Sequence, residues 1–388
     1  MSKTYPGMPQ GVISRKMEVN GLNMHIFEAL PPKEGSGQSG GRPPLLLLLH
    51  GFPELAYSWR KVILPLAQAG YHVVAPDQRG HGQTQVQGVP AGTKVAYEDD
   101  LSPYRVLNLV TDIVGLVYTL GYTSVAAVIG HDAGSRVAAT CALIRPDLFK
   151  SVVVMSSPYT APPSVLTPST PGKSLIFQLH DALATLDPPR KHYTVYYSSP
   201  EAANEMDSPP EGLHAFLRAY YHVKSADWAH NEPYPLPAND LSAFAKLPHY
   251  YIMPLNDTMP QAVAPGAPPF ASSWLTDEEL AVYVEAYART GFQPALNWYR
   301  CMTDSGRWTD DLRVFHGKRV EVPAMFVAGK SDWGTYQFPG LTDKMKVEVF
   351  EKMGEENFVL IDGAGHWVQQ EKPEEVVKVL LAFWKKVS

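Results

Sequence analysis

Five consecutive leucines, Leu45–Leu49, stand between the turn residues Pro43-Pro44 and His50-Gly51. An unbroken apolar run of this length suits a strand covered on both faces, as in the interior of a parallel sheet. Short apolar runs recur at Tyr71–Ala75, Val125–Ile129, Val152–Met155 and Ala324–Ala328, and Val347–Phe350 is strand-like. Between them lie helical patterns. Apolar residues at 106, 109, 110, 113, 116, 117 and 120 share one helical face, and Trp59–Gly70 and Gly134–Ile144 read the same way. Met17–Glu28 reads as a hairpin around Asn20-Gly21. A last helix opens at Pro373 with Glu374 and Glu375 and closes with Lys385 and Lys386, in agreement with its dipole. This alternation predicts an α/β fold, a mostly parallel central sheet with helices on both faces.

Proline locates an interruption. Nineteen of the 35 prolines lie between Pro158 and Pro269, which is under a third of the 388 residues. Long proline-rich loops (Ser157–Lys173, Asn231–Pro237, Asn256–Phe270) separate helices such as Glu211–Val223 and Asp277–Thr290, with no strand-rich pattern among them. A further Gly/Ser/Pro-rich loop is expected over Glu34–Pro44. The length alone allows two domains or one with an insert, and the distribution favours the insert. The expected division is core over 1–158, helical lid (cap) over 159–300, and core again over 301–388. Proline also lowers the entropy lost when such loops are fixed.

The composition removes several classes of function. Hydrophobic content of 45% and charged content of 19% exclude a disordered chain. A formal charge of −6 gives no reason to expect nucleic acid or an anionic membrane as partner. No apolar run approaches a membrane span and the N-terminus has no signal-peptide pattern. Cys141 and Cys301 are too few for a disulfide framework and lie in no metal spacing. We therefore expect a cytoplasmic protein, monomer or homodimer, with two buried thiols and neither metal nor cofactor.

In an open α/β sheet, reactive groups gather where the strands end. Gly130-His131-Asp132-Ala133-Gly134 lies directly between a strand and a helix and has the small-x-nucleophile-x-small form of a nucleophile elbow. Asp132 stands at its centre where many hydrolases have serine. A carboxylate nucleophile attacks saturated carbon and leaves an alkyl ester, so ordinary ester or amide hydrolysis is not the expected chemistry. His50-Gly51-Phe52-Pro53 follows the leucine strand, where such folds place one backbone donor of an oxyanion hole; Phe52 and Ala133 would supply the two N–H groups. His366, in Asp362-Gly363-Ala364-Gly365-His366-Trp367, is the expected general base. Asp332, after Val327-Ala328-Gly329-Lys330-Ser331, is its expected orienting acid, with Asp362 as the other candidate. Asp77-Gln78-Arg79-Gly80-His81-Gly82 reads as loop structure rather than chemistry.

From about Met17 onward the chain resembles the α/β-hydrolase superfamily, and within it the soluble epoxide hydrolases. The resemblance rests on His50-Gly51-Phe52-Pro53-Glu54 with Ser58-Trp59-Arg60, on the Asp132 elbow, on Asn297-Trp298-Tyr299-Arg300, and on His366-Trp367 leading into Glu371-Lys372-Pro373. The order nucleophile, acid, histidine is also that of the superfamily. The resemblance implies a small-molecule epoxide as substrate and a vicinal diol as product. It also implies two lid tyrosines that activate the epoxide oxygen. Tyr299 is one; Tyr193 is the best match for the other, with Tyr196 and Tyr197 as neighbouring alternatives. Glu54 resembles the residue that positions the hydrolytic water, and Pro53, His131, Trp298 and Trp367 are expected to wall the pocket. Phenols suit the task because they stay protonated near neutral pH and donate to a developing alkoxide. Ala133 departs from the family's frequent tryptophan. A haloalkane-type dehalogenase with the same nucleophile is the rival reading, although Ala133 offers no halide donor. A non-catalytic binding protein is the third, and the complete set of reactive groups argues against it.

Overall fold

The computed structural model describes residues 4–32, 41–90, 92–166, 174–237, 240–304 and 309–387. Most of the loop expected at Glu34–Pro44 and the end of that expected at Ser157–Lys173 lie outside them. Twelve strands are present among the described residues: β1 Ile13–Val19, β2 Leu22–Ala29, β3 Leu45–Leu49, β4 His72–Pro76, β5 Gln85–Val86, β6 Ala127–His131, β7 Val152–Met155, β8 Arg190–His192, β9 Ile252–Pro254, β10 Val320–Gly329, β11 Phe350–Lys352 and β12 Phe358–Ile361. Ten form one sheet in the order β1-β2-β4-β3-β6-β7-β10-β11, with β5 on β2 and β12 beside the second half of β10. From β4 to the far edge all neighbours are parallel, and β1 and β2 run antiparallel. Asn20 and Gly21 both take positive φ (46° and 73°), as their hairpin turn requires.

Successive strand residues face opposite layers. Leu46, Leu48, Ile129 and Val153 pack with α1 (Ile63–Gln68); Leu45, Leu47, Leu49, Val128 and Val154 pack with α2 (Val106–Thr119) and α3 (Ala133–Ile144). The first layer continues without a break into the lid that separates β7 from β10. The lid carries α4 Leu175–Leu183, α5 Tyr193–Tyr197, α6 Ala202–Asp207, α7 Leu213–Val223, α8 Leu241–Phe244, α9 Met259–Val263, α10 Asp277–Thr290 and α11 Gln293–Thr303. The C-terminal part adds α12 Leu341–Lys344, α13 Val368–Glu371 and α14 Pro373–Val387. Both cysteines are free and buried. Among the described residues no helix is long and apolar enough to cross a membrane.

Three local expectations change. The lid contains a two-stranded antiparallel ribbon, β8 on β9. Asn256–Phe270 is not all loop, because Thr258 and Gln261 form a capping box and Pro260 sits in the first turn of α9, where proline favours helix. Val347–Phe350 is not extended until Phe350: Met345 and Val349, four residues apart, are buried while Val347 is 72% exposed. That spacing belongs to a helical turn; a strand would put Val347 on the same face as both.

Candidate active site

Four strand ends meet at one edge of the sheet. At the end of β6 the chain turns into α3 through Asp132, whose φ of 51° and ψ of −122° lie outside the ordinary regions for a residue with a side chain. The flanking glycines make this turn possible. A Cβ on Gly130 would lie 2.2 Å from the Gly134 carbonyl oxygen, and one on Gly134 would lie 2.4 Å from that of Leu49. After β3, Gly51 lets the His50–Phe52 loop approach so closely that a Cβ there would sit 2.4 Å from Asp132 Cβ. The Phe52 N–H consequently donates to Asp132 Oδ1 at 3.0 Å. Ala133 is the first residue of α3, where backbone N–H groups have no intrahelical acceptor, and with Asp132 it lines a cavity above this edge.

The other oxygen, Asp132 Oδ2, lies 3.3 Å from His366 Nε2. His366 Nδ1 faces both oxygens of Asp332, at 3.1 and 3.2 Å. Register explains the meeting: Gly329 of β10 pairs with Ile361 of β12, so the loops that carry Asp332 and His366 leave the sheet side by side. Asp332 is fixed in turn by the Gly334 N–H at 2.7 Å. The alternative acid, Asp362, is exposed and pairs with Lys330 at 2.6 Å, away from His366. Asp132 is 14% exposed at its side chain, whereas His366 and Asp332 are 1% and 2% exposed. Only the first of the three therefore opens towards a ligand.

Burial alone would raise the Asp132 carboxyl, but His366, Lys224 and His131 outweigh it and hold the group well below the carboxylate range. Asp332 is lowered in the same way, burial being overcome by His366 and the Gly334 N–H. For His366, burial and Lys224 press downward while Asp332 and Asp132 lift it to a net value above the ordinary one. An ionised carboxylate held by a backbone donor beside a hydrogen-bonded imidazole suits nucleophilic attack followed by base-assisted hydrolysis.

Above this edge opens a cavity of about 590 Å³, within the range of small-molecule sites. Tyr193, at the start of α5, and Tyr299, in α11, both line it, with ring centroids 6.1 Å apart. Tyr196 and Tyr197 do not. The Tyr197 hydroxyl bonds that of Tyr220 at 3.0 Å, and Tyr196 is buried against Tyr197. Burial, reinforced by the Asp132 charge, raises the phenols of Tyr193 and Tyr299, so they remain protonated donors.

A model of the α/β-hydrolase fold matches residues 44–184. Epoxide hydrolase A of Mycobacterium tuberculosis is 33% identical over 95% of this chain and 96% of its own length. The chain belongs to the epoxide hydrolase family. Epoxide hydrolase 3 of Siraitia grosvenorii is 30% identical over 93% of this chain and 94% of its own. Among solved structures, an epoxide hydrolase from an endophytic Streptomyces superposes with a TM-score of 0.74 at 27% identity, covering 97% of this chain and 96% of its own. Epoxide hydrolase A from Mycobacterium thermoresistibile gives 0.70 at 32% identity, covering 96% and 98%.

In this epoxide hydrolase family member, four expected pocket and water residues take other places. Trp298 lines the cavity, but Pro53, His131 and Trp367 do not. The Pro53 carbonyl accepts from the Tyr221 hydroxyl at 3.0 Å, and Trp367 Nε1 donates to the Tyr221 carbonyl at 2.8 Å. Both residues join core to lid behind the cavity wall. His131 points beneath the elbow because consecutive residues at a strand end face opposite ways. Its Nδ1 meets Glu54 Oε2 at 2.5 Å and its Nε2 the His366 carbonyl at 2.7 Å. Glu54, the residue expected beside the hydrolytic water, has both oxygens on protein donors: His131 and the Gly51 N–H on one, Gln369 and Gln370 on the other. It braces the two loops that hold Asp132 and His366.

Lys224, beyond α7, escaped the reading of the sequence. Its ammonium is buried over the rings of Tyr220, Tyr250, Tyr251 and Trp367, 4.9 to 5.8 Å from their centroids. Its carbonyl accepts the His366 N–H at 2.8 Å. A single lysine in a lid loop carries no motif, so its place near Asp132 and Asp332 exists only in three dimensions. Arg136 also lines the cavity. Its position four residues after Asp132, on the same face of a predicted helix, was a signal that could have been read.

Proposed function

We propose that this chain converts an epoxide and water into a vicinal diol through an ester on Asp132. Asp132 Oδ2 attacks a ring carbon, the ring C–O bond breaks, and Tyr193 and Tyr299 deliver hydrogen bonds and a proton to the departing oxygen. Water then adds to the ester carbonyl carbon while His366, oriented by Asp332, removes its proton. The N–H groups of Phe52 and Ala133 stabilise the tetrahedral oxyanion. It collapses as its bond to the substrate oxygen breaks, and that oxygen takes the proton held by His366. The second water proton, left on the Asp132 carboxyl, returns to the tyrosine that protonated the epoxide, so that the diol leaves and carboxylate, imidazole and phenol are restored. The observation that carries this reading is the placement of Asp132: one oxygen on a backbone donor, the other facing His366, and the phenols of Tyr193 and Tyr299 in the same cavity. In functional terms residues 159–300 would be the lid that supplies the phenols, and 1–158 with 301–388 the core that supplies nucleophile, acid and base.

Turnover of an aryl epoxide in ¹⁸O-water tests the mechanism. Over repeated cycles the label should enter the Asp132 carboxylate, as read by mass spectrometry of its peptide; diol produced without that label would exclude the ester. Tyr299→Phe should slow ester formation about 10²-fold, with much less change in substrate binding. An unaltered rapid-quench rate would remove Tyr299 from the chemistry.

A further inference from the structure

A serine, a histidine and an aspartate stand in line on the antiparallel side of the sheet, outside the cavity and unused by the proposed cycle. In the β1–β2 register Ser14 lies opposite Phe27 and Lys16 opposite His25, so Ser14 and His25 are diagonal neighbours on one face. Ser14 Oγ is 2.9 Å from His25 Nε2, and His25 Nδ1 is 2.7 Å from Asp77 Oδ2. Asp77 reaches His25 because β4 pairs with β2: its N–H donates to the His25 carbonyl at 2.9 Å. The N–H groups of Ala56 and Gln83, each at 2.9 Å, fix its two oxygens. Burial would raise this carboxyl, but His25, His50 and the Gln83 N–H outweigh it and hold it at about 2. An ionised Asp77 accepts the Nδ1 proton, while the Gln83 amide nitrogen faces Nε2 at 3.4 Å as a donor. Nε2 therefore carries a lone pair, and the Ser14 hydroxyl donates to it. The Tyr5 hydroxyl bonds both Ser14 and the Gln83 amide. An edge-on contact with Phe27, 4.8 Å between centroids, holds the His25 ring. His25 and Asp77 are buried, whereas Ser14 is exposed.

We propose that Ser14, His25 and Asp77 form a second reactive site, which takes acetyl groups from esters. A serine hydrogen-bonded to a histidine that a buried carboxylate orients is an activated nucleophile. Ser14 Oγ bonds to the acyl carbon while its proton passes to His25 Nε2. The carbon–oxygen bond of the ester then breaks, and the departing alcohol takes that proton. Water adds to the acetyl-Ser14 carbon as His25 removes its proton; the acid leaves and the proton returns to Ser14 Oγ. Asp77 stabilises the imidazolium in both halves, and Tyr5, beside Ser14, supplies a donor for the acyl oxygen. Burial and the Asp77 charge raise the Tyr5 phenol, so it keeps its proton. The depression next to His25, lined by Tyr5, Phe27 and Gln83, encloses about 20 Å³. That is room for roughly one water-sized group, which restricts the acyl chain to a methyl. The site shares no residue with the Asp132 centre, so either can fail without the other.

The test treats the full chain with p-nitrophenyl acetate, quenches in acid and locates acetyl groups by peptide mass spectrometry. Ser14 should be acetylated about 10²-fold faster in the folded chain than in the chain unfolded in urea, where an isolated serine has no base. Equal rates overturn the proposal, and so do acetyl groups found on other residues but not on Ser14. This comparison needs no variant. Ser14→Ala, at an exposed strand position, should lower the release of p-nitrophenol by about tenfold at an unchanged urea midpoint. An undiminished release overturns the site. Ser14→Cys should still be acylated, now as a thioester, because the thiol faces the same histidine. p-Nitrophenyl hexanoate should acylate Ser14 about tenfold more slowly than the acetate, since the depression has no room for its chain; equal rates for the two esters overturn the assignment of acetyl as the group taken.

Discussion

His366 faces two carboxylates, and only one of them keeps its charge through the proposed cycle. In the free protein Asp132 and Asp332 together lift its pKa against burial and Lys224. Once Asp132 is esterified its negative charge is gone, while the downward influences remain. The imidazole should therefore lose proton affinity in the intermediate, at the step that needs a neutral base. Two measurements check this: the NMR titration of His366 in the free protein, and the acid limb of ester hydrolysis in single-turnover kinetics. The titration midpoint should lie at the higher pH, and coincidence would count against the argument. Lys224 acts on the same limb. Replacing its buried ammonium by methionine removes a charge that favours the neutral ring, so His366 rises and the limb moves to higher pH, by roughly one unit. A limb that stays in place would mean that the aromatic cage holds Lys224 for packing alone.

At the scale of elements, the joint between β6 and α3 sets the position of Asp132, the proposed nucleophile. Gly134→Ala would put a methyl group 2.4 Å from the Leu49 carbonyl and 2.5 Å from that of His50, both backbone atoms of the adjoining strand and loop. Neither can turn aside as a flexible side chain could, so α3 must move away from β3. We expect a loss of about 2 kcal/mol in unfolding free energy, read from urea denaturation, together with a fall in the rate of ester formation, as Asp132 withdraws from the Phe52 N–H. A variant of native stability and activity would show that the joint tolerates the shift. Element types were largely legible because long apolar periods report burial directly: α2, α10, α14 and β7 lie where the spacing puts them. The turn at Met345–Val349 was not. Four residues between turn signals hold too little pattern to separate a strand from one turn of helix.

For the molecule as a whole, lid and core share one hydrophobic cluster. Phe52 packs against Tyr197, Tyr287, Phe292 and Tyr299, and Arg60 of the core pairs with Glu279 of the lid in a buried site. Glu371 pins both parts, accepting from the Ala226 N–H of the lid at 2.8 Å and the Gly365 N–H of the core at 2.9 Å. We expect one cooperative unfolding transition, with tryptophan fluorescence and far-UV circular dichroism coincident along the urea axis. Separate transitions would refute a shared core. The sequence by itself determined the alternation of strand and helix, the insert, and the strand ends at which Asp132, Phe52, Asp332 and His366 stand. These follow from local spacing, and parallel strands bring their ends to a common edge. Only the tertiary structure decided that Tyr193 rather than Tyr196 or Tyr197 faces the cavity, and that Asp332 rather than Asp362 meets His366. It also decided that Glu54 and His131 brace the site from behind and that Arg136 is left without an ion pair among the described residues. Each of these depends on the direction of a side chain and on groups distant in sequence that close around it, and local spacing carries neither.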